Sequence, residues 1–217
     1  MNRIEPGPRT TVRRLRERGE YDRELIYGIL DEAFVCHAAC SVDGTVWMIP
    51  TAFGRDGDRL LLHGAAANHV LKAAAQGAEL TVNVMLTDGL VLARSTFNHS
   101  INYRSVTIFG TVTDITDPVD KTEALERIVE HMLPGRSVEA RPPSPSELKQ
   151  TRVVSLPIEE ASAKVRAGGP HDDEPDLGLP VWAGVLPLRM TAGAPIADEE
   201  HPPGAPVSST VDQPARW

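Results

Sequence analysis

Cysteine is almost absent from this 217-residue sequence: the two thiols, Cys36 and Cys40, are too few for a disulfide framework. Their spacing, with His37 between them, fits neither the Cys-x-x-Cys pairs of zinc sites nor covalent haem attachment. On a strand over residues 34–41 both thiols share one face as small core residues, and His37 points to the other. Long apolar runs are missing as well. No stretch reaches the 18 apolar residues of a membrane span, and the start MNRIEPGPRT lacks a signal-peptide core, so a cytoplasmic location with no membrane partner is expected. Positive charge is in deficit: 22 Lys and Arg stand against 30 Asp and Glu, a net charge of -8, which disfavours a nucleic-acid partner. The single basic run, Arg9 to Arg18, reads as a solvated face or a mobile arm. G-x-G-x-x-G after a strand, G-x-x-x-x-G-K-[ST], H-E-x-x-H and G-x-S-x-G are all absent, so no standard catalytic set is legible and no metal site is expected.

What is present is a succession of short strands. A first helix opens at the N-cap Asp22 and carries Leu25, Ile26, Ile29, Leu30 and Ala33 on one stripe. Strands are expected over 34–41, 45–53 and 59–63, joined by turns at Asp43-Gly44 and Asp56-Gly57, as an antiparallel meander. Ala67, Val70, Leu71 and Ala74 mark a short helix, and alternation returns over 80–86. Thr87-Asp88-Gly89 reads as a turn into a strand over 90–97, and 103–115 as a further strand with a bulge at Gly110. Asp117-Pro118 opens a second helix with Leu125, Ile128, Val129 and Met132 as its buried stripe. Pro134-Gly135 ends it, a proline-rich loop follows, and strands are expected over 152–156 and 181–188. Antiparallel strands from end to end cannot build a doubly wound sheet. The expected fold is mainly β, an antiparallel barrel with a few accessory helices, in one domain over residues 1–190 followed by a disordered tail over 191–217.

The most informative segment runs from Leu60 to Lys72, where a strand enters a short helix through Gly64, Ala65 and Ala66. Small residues there leave backbone N–H groups accessible at a helix N-terminus, a place for an anion. His69 and Lys72 lie on one helical face, opposite the Val70/Leu71/Ala74 stripe, and can add charge and hydrogen bonds to a phosphate. His63 ends the strand beneath them.

In the order of its segments the chain resembles the pyridoxamine 5'-phosphate oxidase-like flavoproteins of the split-barrel fold, in the branch with the nitroimidazole-resistance flavoproteins. The resemblance rests on Trp47-Met48-Ile49-Pro50-Thr51, on His63-Gly64-Ala65 through His69 and Lys72, on Asn102-Tyr103-Arg104-Ser105-Val106 leading to Gly110, and on Leu179-Pro180-Val181-Trp182-Ala183-Gly184. It spans about residues 9 to 190. It implies a homodimer with flavin mononucleotide (FMN) in a groove at the subunit interface. Ile49, Pro50 and Thr51, beside Trp47, would line the ring, and His63, Gly64, Ala65, Ala66, His69 and Lys72 would receive the phosphate. Tyr103, Arg104 and Ser105 would approach from the neighbouring strand, and Trp182 would stack on or close the groove. Where the family often has Gly or Ser-Arg before the basic residue, this chain has Asn68-His69, which implies weaker or different cofactor binding. The acidic, proline-rich end lacks the family's arginine-containing tail, which disfavours vitamin B6 oxidation.

The function so implied is an FMN-dependent oxidoreductase that passes electrons from a nicotinamide or similar donor to a small organic acceptor. The flavin carries that chemistry, so no side-chain catalyst is required. Candidates for proton transfer are His63, His37 and His99. The alternative is a non-catalytic protein that holds flavin, deazaflavin or haem. Haem needs a histidine aimed into an apolar pocket, and deazaflavin needs more positive charge than a net -8 supplies. A dimer that has lost its ligand would pair His69 and Lys72 with acidic neighbours.

Overall fold

The computed structural model describes residues 2–202, 204–212 and 214. Chain order runs β1 (Gly19–Glu20), α1 (Arg23–Glu32), β2 (Val35–Val42), β3 (Thr45–Asp56), β4 (Arg59–Ala65), α2 (His69–Ala75), β5 (Leu80–Leu92), β6 (Ser100–Gly110) and β7 (Thr113–Asp114). It continues through α3 (Pro118–Met132), α4 (Pro145–Gln150), β8 (Thr151–Pro157), β9 (Glu160–Arg166), β10 (Gly184–Pro187) and α5 (Ser209–Asp212). The strands pair antiparallel in the order β1-β9-β6-β5-β2-β3-β4-β8-β7, and β10 joins the far end of β5.

Two chain segments pass from one half of this sheet to the other. The first half of β3 pairs with β2, and its second half, from Phe53, pairs with β4. Likewise β6 pairs with β5 and β9, whereas β7, reached just after Gly110, pairs with β8. These passages fold the sheet around one core as a split barrel, in agreement with the expected class. Val42 and Thr45 pair across Asp43 and Gly44, both at positive φ (50° and 76°), the turn geometry that follows strand twist and that Asp-Gly readily adopts.

Both predicted helix starts are capped as expected. The Asp22 carboxylate accepts the Leu25 N–H at 3.0 Å, and that of Asp117 accepts from Val119 at 2.8 Å and Asp120 at 3.2 Å, supplying acceptors for otherwise orphaned amides. Helix α1 buries Ile26, Ile29 and Leu30. Helix α3 turns slightly differently from its expected stripe: Ala124 and Ile128 are buried and Met132 is exposed. The reason is Gly54 beneath it, where a Cβ would stand 2.9 Å from the Ile128 Cα. The helix axis therefore sits close to β3 and the small Ala124 faces inward.

Three strand boundaries differ from expectation. Thr87-Asp88-Gly89 does not turn the chain; β5 runs straight through it, and the register against β6 shifts between Thr87 and Gly89. Asp88 is held by Arg104 at 2.7 Å, so turn chemistry is used for a bulge. Gly110 ends β6 instead of interrupting it, and a Cβ there would meet Leu156 Cδ1 at 3.1 Å. Strand β10 covers only the second half of its expected range.

Cys36 and Cys40 are buried and unoxidised, as expected for core thiols, and burial pushes the Cys36 thiol up to about 12. Beyond Met190 the described residues contain no strand, and Thr210 of α5 donates to Glu139 at 2.8 Å. Among the described residues no helix is long and apolar enough to cross a membrane.

Candidate functional site

The strand-to-helix junction forms as its sequence suggests. Leu60, Leu61 and Leu62 anchor β4 in the core; Asn68 then caps α2, its Oδ1 accepting the Leu71 N–H at 3.1 Å. Val70, Leu71 and Ala74 are buried, and His69 and Lys72 are exposed, the division that the helical spacing implies. Gly64 is tightly enclosed, since a Cβ would lie 3.1 Å from Leu71 Cδ1 and 3.3 Å from Asn68 Nδ2. Trp47 on β3 meets His69 edge-on at 4.8 Å between ring centroids. The Thr51 hydroxyl lies 3.3 Å from the His63 carbonyl, to which it donates. Trp47, Thr51, His63, Gly64, His69 and Lys72 are thus brought together from β3, β4 and α2. Among the described residues neither His69 nor Lys72 is in an ion pair.

His63 carries an anomaly. Its Nδ1 is buried without a hydrogen-bond partner among the described residues, and burial lowers its pKa below the ordinary histidine value. The folded chain therefore binds fewer protons here than the unfolded chain. Stability should fall as pH drops below about 6.5, with a slope of at most about 1.4 kcal/mol per pH unit from this group. Urea unfolding at pH 7.5 and 5.5 should show a smaller acid loss in His63→Gln than in the parent; equal losses would mean that His63 charges freely in the fold.

Strand alternation separates the other candidates. Trp47, Ile49 and Thr51 share the face of buried Phe53, whereas Pro50 lies on the opposite face with Val46 and Met48. Pro50 is in register with His37 on β2, His37 with Asn83 on β5, and Asn83 with Thr107 on β6. Asn83 Nδ2 donates to Thr107 Oγ1 at 3.0 Å. Tyr103 and Ser105 alternate with Thr107 on this outer face, and Arg104 points to the other side. The outer face carries exposed apolar side chains: Val46 is 73% and Met48 64% exposed, and Val35, paired with Ala52, and Met85, paired with Ser105, lie further along it.

Arg104 is fully engaged within the chain. Its guanidinium reaches Asp88 through Nε at 3.0 Å and Nη2 at 2.7 Å, and Glu32 through Nη1 and Nη2. These carboxylates raise its pKa further. The triad borders a cavity of about 890 Å³ with Phe34, Val35, Met85, Leu188 and Met190 on its apolar walls. Of the sequence candidates only Arg104 lines it. Trp182 is apart from the junction, exposed, with its ring against Gly184.

The fold is thus a split barrel in which exposed His69 and Lys72 stand at a strand-to-helix junction and Val46 and Met48 lie open on the sheet. Residues 22–165 match the family model of pyridoxamine 5'-phosphate oxidase, and the chain belongs to that family. It is similar to the flavocytochrome Anf3 from Azotobacter vinelandii, with 38% identity over 96% of this chain and 97% of that one, at a TM-score of 0.89. It is also similar to the FAD and heme binding protein from Mycobacterium smegmatis, at 35% identity, 89% and 95% coverage and a TM-score of 0.85. A candidate 5-nitroimidazole antibiotic resistance protein from Bacteroides thetaiotaomicron shares the fold, at 22% identity over 66% of this chain and 84% of that one, with a TM-score of 0.56. No curated protein matches.

Proposed function

We propose that the chain is a flavin-binding redox protein that works as a homodimer and also carries haem. One observation carries the flavin reading: at the junction the buried Nδ1 of His63 has no partner among the described residues, beside the exposed His69 and Lys72. A buried nitrogen without a partner costs free energy, and a bound flavin would supply one. Lys72 and His69 would take the phosphate, Thr51 and His63 would border the ring, and Trp47 would shield it from water. When bound, the flavin supplies the electron transfer. His63, held neutral by burial, can hold or release a proton at its ring nitrogen. The exposed Val46, Met48, Val35 and Met85 face is suited to cover by a second copy.

The two relatives of highest identity among those described, named as a flavocytochrome and as an FAD and heme binding protein, support haem as the second group and a dinucleotide flavin alongside FMN. One imidazole suits an iron ligand. His99 lies with Nδ1 2.9 Å from the Ser95 carbonyl, the arrangement that orients a ligating ring and leaves Nε2 outward, and Phe97 beside it is exposed. The test is the absorption spectrum of the protein as purified, before and after a nicotinamide donor without oxygen, with His99→Ala beside it. Flavin bands together with an intense haem band, the latter lost in His99→Ala, are the expected result. A colourless chain that takes up neither group would overturn the reading.

A further inference from the structure

Five arginines lie between Arg9 and Arg18, and the fold sorts them. Arg9 pairs with Glu160, Nε to Oε1 at 2.7 Å, and with Glu79, and its guanidinium lies 4.8 Å from the Phe109 ring. The Tyr21 hydroxyl accepts the Val12 N–H at 2.8 Å and donates to the Thr10 carbonyl at 3.2 Å. These clamps lay the segment along the outer face of β6 and β9 instead of leaving it free in solvent. A cleft of about 330 Å³ remains between arm and sheet, ringed by Arg13, Arg14 and Lys164, with Ser105 and Thr107 in its lining. Among the described residues none of these three cations forms an ion pair, in a chain whose net charge is -8.

The neighbourhood holds a fourth uncompensated cation. Arg166, two residues beyond Lys164 on β9, is 7% exposed, yet its partners are neutral: Asn102 Oδ1 and the carbonyls of Gly168 at 3.2 Å and Gly169 at 3.1 Å. Burial, and then the charge of Arg18, lower its pKa. Buried charges are normally matched by opposite charge. Thr107 Oγ1 already accepts from Asn83, so its hydroxyl proton is free to donate.

We propose that the cleft under the N-terminal arm binds the diphosphate of a nucleotide, with Arg13, Arg14 and Lys164 on the phosphoryl oxygens and Thr107 donating from the floor. Three convergent cations with a hydroxyl exceed what a single carboxylate requires and suit two linked phosphates. The proposal rests on the redox reading only for the identity of the nucleotide, which is a nicotinamide donor.

The full-length chain, with its flavin and after removal of it, is titrated with ADP and with inorganic pyrophosphate by calorimetry. The same titrations are run on R13S/R14S, whose side chains are exposed, and on K164M, which keeps the apolar stem. The expected result is that the variants weaken both ligands by roughly tenfold or more. Binding of ADP to flavin-loaded chain, with a raised KM for the nicotinamide donor in R13S/R14S, assigns the cleft to the donor. Binding only to flavin-free chain, with FAD affinity reduced in R13S/R14S, would put the flavin's own diphosphate here and overturn the proposal. Affinities that change less than about twofold in both variants, or no binding in either form, would overturn the proposal. A colourless chain that still binds ADP through Arg13 and Arg14 would remove the redox reading and leave the cleft standing.

Discussion

Replacing Phe53 by alanine is expected to cost about 3–5 kcal/mol of folding stability, lowering the thermal midpoint by roughly 6–20 °C for a domain of this size. The size of the effect follows from position. Phe53 is fully buried at the point where β3 leaves β2 and joins β4. Its ring lies 4.9 Å from that of His131, and His131 ties three elements together. His131 Nδ1 accepts the Arg55 N–H at 3.4 Å, and Nε2 therefore donates to the Ala33 carbonyl at 2.7 Å. Removing the phenyl ring leaves a void under this connection, and Gly54, pressed against the Ile128 backbone, prevents α3 from simply sinking into it. Chemical denaturation of Phe53→Ala and Phe53→Leu measures the cost. A loss under about 1 kcal/mol for the alanine variant would mean that the junction collapses to fill the space.

Arg104→Met should lower stability by about 1–3 kcal/mol, between the values for exposed and fully buried ion pairs. The methionine keeps much of the stem but leaves Glu32 and Asp88 facing each other without a cation. Glu32→Gln alone should cost less, because Asp88 still holds the guanidinium. In a double-mutant cycle of Arg104 with Glu32 the two losses should add to more than the double variant shows. Strict additivity would indicate that the triad is merely adjacent and does not hold the cavity wall.

The sequence made local features legible and left tertiary partners hidden. Asp22 and Asp117 cap helices because a cap needs only its own next three residues. The junction from His63 to Lys72 came together for the same reason, and Thr51 and Trp47 joined it through the predicted pairing of neighbouring strands. Arg104 was harder to read. Its partners come from α1 and from a bulge that shares its residue types with a turn, so its charge looked available when it was not. Pro50 and Thr51 look alike on a list of contacts, yet strand alternation puts them on opposite faces of the sheet. The arm gave the reverse error: five arginines suggested a solvated stretch, because the single hydroxyl of Tyr21 and the acids Glu79 and Glu160 that hold it down are distant or inconspicuous. Nothing near Lys164 in sequence marks it as a member of the same cleft.

Strand β5 pairs with β6 along nearly its whole length, and the opposite edge of its last four positions, Gly89 to Leu92, takes β10. The β6 partner follows after a short connection, whereas β10 arrives only after nearly the whole remaining barrel has been made. Closing so long a loop is slow and its contacts are gained late. The β10 contact should therefore be absent from the folding nucleus, so that weakening it, for instance at Val185, speeds unfolding and leaves the folding rate nearly unchanged. Resistance to proteolysis at the carboxyl end should then track how firmly β10 docks on β5.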